Sequence, residues 1–488
     1  MTITKVIKDL IETNTYNEIV SNIGNTQPVT INSIVFANTT FANTSNTSML
    51  TMGGYFKLYG NNYQSGANVY LDRYLASNTQ FISSNELRVT FSTIPPKTYS
   101  LFLYNPNGSN AIKYNSFLVQ GNNTVGYVVA GTFGATSTPL GGINYSSVEK
   151  ITFSNDTAVA DIRANLPGIR AAASGLNTNQ YGYVMAGRAN TGYGPGVTAY
   201  TNGLRIEFNN DTTAPLDRSS IFASPFTFGT STQTSTFGYL AGGIGAPIAF
   251  SVSTILRYTF SSDTSGAGSR LNLETARSNF SGSAETSDFG WFFGGYSGSL
   301  FSPTIGAPGN TDTYSLVSRM SFSSDTNTTI IRGPVGTNSA SGSSTQNQSY
   351  AWIGGGFSTH SYLNPGTPQP QFFTNSISSV IRYDFSNDTS AGVVRFTSSS
   401  TTLAASWGST THDNDYGWFM GGTPAPNVSP FPIASPVPNN LFDVTTNLAV
   451  ASIVTRLTFA NDTSAASLTR GNLNQARRNA TGINGINT

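Results

Sequence analysis

The sequence has no cysteine, only two histidines, and charged residues at just 10% of its length. Without cysteine there can be no disulfide, no thiolate metal ligand and no cysteine nucleophile, and the chain suits assembly in a reducing cytoplasm. Lys and Arg total 24 against 23 Asp and Glu, for a formal net charge of +1. That balance offers no basic surface to meet phosphates, so no nucleic-acid partner is expected. No run approaches the roughly 18 apolar residues of a membrane span, which argues against membrane insertion. Lys5, Lys8, Asp9 and Glu12 interrupt the apolar stretch a secretory signal would need. A chain of this kind that reaches the outside of a cell is expected to leave by lysis.

What the sequence has instead is Ser, Thr and Asn, with 49 Gly, 22 Pro, 31 Phe and 23 Tyr. Aromatic and β-branched residues punctuated by turn formers favour short strands joined by tight turns, so the expected class is all-β.

An internal repeat organises most of the chain. A glycine, an aromatic, apolar residues and a closing small pair recur as GYVVAG at 126–131, GYVMAG at 182–187, GYLAGG at 238–243, GWFFGG at 290–295, AWIGGG at 351–356 and GWFMGG at 417–422. The aromatics are Tyr127, Tyr183, Tyr239, Trp291, Trp352 and Trp418, and packing between sheets is their expected role. Each copy is followed by a strand carrying a cation and, three residues on, a phenylalanine. The cations are Lys150, Arg205, Arg257, Arg319, Arg382 and Arg456, and the first such strand reads VEKITFSNDT. Alternation puts cation and Phe on opposite faces. The Asp-Thr that follows reads as a tight hairpin, because Asn and Asp tolerate positive φ. The Asn-Asp-Thr sequons at Asn155, Asn210, Asn387 and Asn461 are read as the same turn chemistry. A weaker third element, Arg followed by a nearby Gly, starts at Arg170, Arg277 and Arg478 and is degraded near 340 and 405.

Six copies, 52–74 residues apart, each worth several short strands, imply six propeller blades. The order of motifs resembles kelch repeats over residues 126–488, and implies a six-bladed kelch-like β-propeller over 121–488. From each Phe to the next aromatic the spacing is 30, 31, 31, 30 and 33 residues, and 29 residues follow Phe459. The strand around Arg478–Ile483 is therefore expected to pair beside 126–131 and close the ring, leaving no free sheet edge.

Residues 50–120 alternate differently, in short strands between turn residues. Gly53, Gly54, Gly60, Asn61, Tyr63, Ser83, Leu87 and the Tyr99–Pro106 strand resemble an IPT/TIG-type immunoglobulin-like β-sandwich. Residues 1–49 read as an anchoring segment: a short amphipathic helix over Lys5–Ile23, then a linker or extended strand.

Candidate chemistry is thin. His360 and His412 read as solvated loop residues with no second histidine beside them. Asp413 and Asp415 have the spacing of some calcium loops, but acids here are expected to form turns. Glycan hydrolysis would need paired carboxylates, and six acids are already taken by the repeated turns. No catalytic residue, metal site or cofactor is expected. The strand cations are expected to pack their stems between blades and bond carbonyls or turn aspartates. Between each small pair and the next cation lie 18, 17, 13, 23, 25 and 33 residues. These long, varied segments read as a binding face, with 357–379 and 423–453 the main loops. Phe372, Phe373, Phe431 and Phe442 are the candidate contact residues.

Cysteine-free, Ser/Thr/Asn-rich chains joining an Ig-like module to GYVAGG-and-FSNDT propellers resemble virion proteins of tailed phages, notably those of cyanobacterial viruses. That resemblance implies a non-enzymatic tail-fibre, neck-fibre or decoration protein, located in the virion. Its partners would be other virion proteins through the N-terminal segment, further copies of itself, and a host-surface glycan or protein. The alternatives are a bacterial cell-surface adhesin and, further off, a carbohydrate-active propeller enzyme.

Overall fold

A computed structural model describes residues 28–37, 40–43, 49–50, 54–92, 94, 97–120, 123–133, 143–189, 199–220, 222, 226–245, 250–262, 266–297, 313–363, 370–397, 408–422, 450–463 and 467–485. The helix expected over Lys5–Ile23 lies outside them, as do Phe431 and Phe442. Among the described residues there is no α-helix, only strands and one-turn 3-10 helices. The chain divides into two compact units, 1–122 and 123–488.

In the first unit, one sheet pairs Thr30–Ala37, Gly54–Asn61, Glu86–Phe91 and Asn78–Ser83 in that order. The other pairs Met49–Leu50, Asn110–Gln120, Lys97–Tyr104, Asn68–Leu71 and Tyr74–Leu75. Alternate residues of both sheets, among them Phe56, Leu58, Val89, Val69, Leu101 and Phe117, share one core. Thr30–Ala37, left to a linker or extended strand by the sequence, is thus a full member of the sandwich. Gly60 is demanded by its approach: a Cβ there would come within 1.9 Å of the Thr30 carbonyl oxygen.

The second unit is propeller-like, built from six four-stranded antiparallel sheets. The second runs Ser174–Asn177, Tyr181–Met185, Asn202–Glu207 and Leu216–Ser220 from its inner to its outer strand. The third, fourth, fifth and sixth repeat this order, with inner strands Thr230–Gln233, Gly282–Glu285, Ser343–Gln346 and Ser409–His412. The first differs only in taking its inner strand from the far end of the chain. Thr481–Gly485 pairs antiparallel with Val125–Val129, and Arg478 bridges to Thr132. Each inner strand lies against the inner strand of the next sheet, and Thr481–Gly485 lies between those of the sixth and second. The ring expected from the spacing is therefore closed by the strand pair expected to close it.

The Gly-aromatic strand is apolar throughout because both its faces are covered. Tyr127 and Val129 pack toward the second sheet, while Val128 packs toward Trp418 and Met420 of the sixth. In all six sheets the aromatic stands opposite the strand cation, from Tyr127 opposite Lys150 to Trp418 opposite Arg456.

The phenylalanine of each sheet stacks on the aromatic of the sheet before it: Phe208 on Tyr127, Phe260 on Tyr183, Phe322 on Tyr239, Phe385 on Trp291, Phe459 on Trp352 and Phe153 on Trp418. The turn aspartate follows it across. Asp388 accepts from Trp291 Nε1 (3.1 Å), Arg319 (2.9 Å) and Arg332 (3.0 Å), and Asp462 accepts from Trp352, Arg382 and Arg395. Asp211 does the same for Tyr127, Lys150 and Arg163. This corrects the turn reading. Phe153–Asn155 is a turn of 3-10 helix, and Asp156 that follows has φ −72°, not a positive value. The aspartate is placed to carry its carboxylate to the neighbouring sheet, and the cation heads go to it as expected.

Candidate functional site: the central channel

The six inner strands enclose a cavity of about 230 Å³ on the axis of the ring. On each strand the first and third residues mostly pack into the sheets, and the second and fourth face the cavity. The second residues form a ladder. Ser231 donates to the Gly175 carbonyl (2.6 Å), Ser283 to that of Ser231, Ser344 to that of Ser283 (2.7 Å) and Thr410 to that of Ser344. The two members lacking a hydroxyl are Gly175 and Gly482, where strands come closest. A Cβ on Gly482 would lie 2.0 Å from the Thr410 carbonyl oxygen, and one on Gly175 2.5 Å from that of Gly482.

The fourth residues are Asn177, Gln233, Glu285, Gln346, His412 and Asn484. Three amides brace the backbone next to them: Gln233 Oε1 accepts from Asn177 N–H, Gln346 Oε1 from Glu285 N–H and Asn484 Oδ1 from His412 N–H, each at 2.8 Å. Glu285 stands where its siblings carry amides, and the Thr232 hydroxyl donates to it at 3.2 Å. Desolvation pushes its carboxyl up to about 7, and pushes His412 down to about 4. At neutral pH the wall therefore carries a neutral imidazole and at most one negative charge. Ser343, at the mouth end of its strand, is 7% exposed, and its hydroxyl has no hydrogen-bond partner.

The ends of the cavity differ. The residue before each inner strand is Ala173, Gly229, Gly342, Gly408 or Ala480 in five of the sheets, so small groups ring one mouth. The small pairs that end the Gly-aromatic strands lie at this same end, since Ser174 stands opposite Met185 and Ala171 bridges to Arg188. The varied segments of the sequence thus begin around this mouth.

Three buried arginines hold that end. Arg170, Arg277 and Arg477 donate to the carbonyls of Ala186, Gly294 and Ala130, at corners where Ala130 and Ala186 themselves hold φ of 61° and 56°. The third member is Arg477 and not Arg478. The sequence motif was set one residue late, and Arg478 instead makes the backbone bridge to Thr132. Arg477 also pairs with Glu149, and both are fully buried. Burial pushes the Glu149 carboxyl up and Arg477 down, against their mutual attraction. Gly282 differs from the glycines that follow Arg170 and Arg477: it holds φ +137°, one residue earlier in its strand.

Other candidates fall elsewhere. His412 is no loop residue; it ends an inner strand and lines the channel. His360, Phe372 and Phe373 are on strands too. Phe357–Leu363 and Pro370–Ser376 form a hairpin placing His360 opposite Phe373, where a loop was expected; its β-forming arms flank the Asn-Pro-Gly-Thr-Pro sequence at 364–368. Asp413 accepts from the N–H groups of Asp415 and Tyr416, a turn role like that of Asn347 in the fifth sheet. Among the described residues no group of three His, Cys, Asp or Glu could hold a metal ion.

The polar ring was overlooked in the sequence, although aligning repeats on their aromatics exposes it. Asn177, Gln233, Glu285, Gln346 and His412 each stand six residues before Tyr183, Tyr239, Trp291, Trp352 and Trp418.

No family model matches the chain, and no curated protein matches it. Among solved structures it is similar to YjhT, at 13% sequence identity and a TM-score of 0.46, over 65% of this chain and 88% of that one.

Proposed function

We propose that the chain is a non-enzymatic virion protein of a tailed phage, a tail-fibre, neck-fibre or decoration protein. In this reading it consists of an anchoring segment, an IPT/TIG-like Ig sandwich and a six-bladed kelch-like β-propeller displayed for attachment to a host surface. The sequence resemblance supplies the phage setting. The structural observation that carries the non-enzymatic part is the disposition of the acids. Asp156, Asp211, Asp325, Asp388 and Asp462 are each bonded to an aromatic and a cation of the neighbouring sheet. Glu149 is locked to Arg477. Only Glu285 among the carboxylates lines the channel, whereas glycoside hydrolysis draws on two.

The test is composition. Particles banded on a density gradient after host lysis are digested and analysed by mass spectrometry. The reading expects peptides of this chain in constant ratio to the major capsid protein; their absence from intact particles overturns it.

A further inference from the structure

The channel holds a built polar site that the architecture does not use up. The ladder hydroxyls donate to neighbouring carbonyls and three amides brace backbone N–H groups, so these explain themselves structurally. Glu285 and Ser343 do not. Replacing Glu285 by Gln, as at Gln233 and Gln346, would keep the shape and remove a desolvated acid, yet the acid is present. The Ser343 hydroxyl is buried without a partner, which costs stability unless something accepts from it or donates to it.

We propose that the channel binds the terminal ring of a neutral pyranose glycan, entering by the mouth of small residues and gripped at Glu285. A carboxylate can accept from two adjacent sugar hydroxyls at once, in charge-assisted bonds stronger than neutral ones. Ser343 offers a further hydroxyl on the way in, and Phe280, which lines the cavity, offers an apolar ring for the sugar's carbon face. Among the described residues no Lys or Arg lines the cavity, so a sugar acid would meet Glu285 with no counter-charge, and the site selects against it. The volume is below the roughly 300–1,000 Å³ of larger ligand clefts, which suits one ring and not a chain. The rest of the glycan would emerge among the varied segments at the same end. This inference rests on the attachment role proposed above and names its ligand class.

The test uses the full chain. Methyl gluco-, galacto- and mannopyranosides, N-acetylglucosamine, glucosamine and glucuronate are each titrated by calorimetry and by saturation-transfer NMR. At least one neutral sugar should bind, glucuronate should not, Glu285→Gln should weaken binding at least tenfold, and Ser343→Ala should weaken it several-fold. Glu285→Gln should melt no lower than the parent, which separates lost binding from lost folding. No binding of any neutral sugar, binding of glucosamine alone, or affinity unchanged in Glu285→Gln overturns the inference. Host-cell adsorption that survives Glu285→Gln but disappears when 423–449 is shortened also overturns it, while leaving the attachment role standing. Sugar binding lost in Glu285→Gln, in a chain absent from particles, supports the channel and removes the virion reading.

Discussion

Trp418 lies flat on Phe153, with ring centroids 3.9 Å apart and planes 6° from parallel. Trp418 is in the sixth sheet and Phe153 in the first, so this is the contact at which the ring meets itself. The same seam carries Trp418 Nε1 donating to Asp156 at 2.9 Å, with Arg456 and Arg470 paired to that carboxylate. It repeats the arrangement between the other sheets, which means closure uses the same chemistry as every other junction.

Asp156→Ala removes the acceptor from one indole N–H and two guanidinium groups at a position 5% exposed. Breaking a buried pair by deleting one partner costs about 3–5 kcal/mol. Chemical denaturation should show a loss of that order, with Asp156→Asn losing less because one acceptor oxygen remains. Parental stability in Asp156→Ala would mean the carboxylate is not the latch.

Truncation after Asn472 deletes Arg477 and the strand Thr481–Gly485. The first sheet is left with an unpaired edge at Val125–Val129 and Glu149 without its cation. Scanning calorimetry should lose the sharp transition of the second unit. Arg477→Met tests the ion pair alone and should cost about 3–5 kcal/mol, since it strands a buried carboxylate.

Trp291 is fully buried between the fourth and fifth sheets, stacked on Phe385. Trp291→Ala should cost about 3–5 kcal/mol through the cavity it opens, and leave any sugar affinity unchanged in the folded fraction. Stability kept and binding lost would make the aromatic a ligand contact.

The pH dependence of stability separates the two channel groups. Glu285 has its folded pKa raised to about 7, so between its unfolded value and 7 the folded state binds more protons than the unfolded one. Stability from this group is therefore greatest in acid and falls as pH rises through that window. His412, lowered to about 4, binds fewer protons when folded, so its contribution rises with pH between 4 and its unfolded value near 6.5. The melting temperature of Glu285→Gln minus the parent should be near zero at pH 4.5 and grow to a positive plateau above pH 7. A flat difference would place Glu285 in a well-solvated setting.

The repeat made most of this architecture legible. Tyr127 through Trp418 recur with constant spacing to the preceding Phe, and a truncated last repeat points to its partner, so the closing strand could be placed from arithmetic alone. What the sequence hid were relations between repeats. Asp156 looks like a turn residue because its own repeat shows no partner; its partners, Trp418 and Arg456, lie some 260–300 positions away. Arg477 was displaced by the adjacent Arg478, since two neighbouring arginines fit a loose spacing equally well. Glu285 and His412 were obscured because the inner strand is only four residues long, and one face of so short a strand shows little periodicity. Phe372 and Phe373 read as loop because the Pro-Gly pair beside them masks two β-forming arms.

The central claim is that this chain is displayed on a phage particle. Electron cryomicroscopy of purified particles tests it most directly. The account expects a six-sheet ring matching residues 123–485 exposed on the particle surface, with density for residues 1–49 packed against other virion subunits. A particle map accounted for entirely by other chains, with no such ring on its surface, would contradict it.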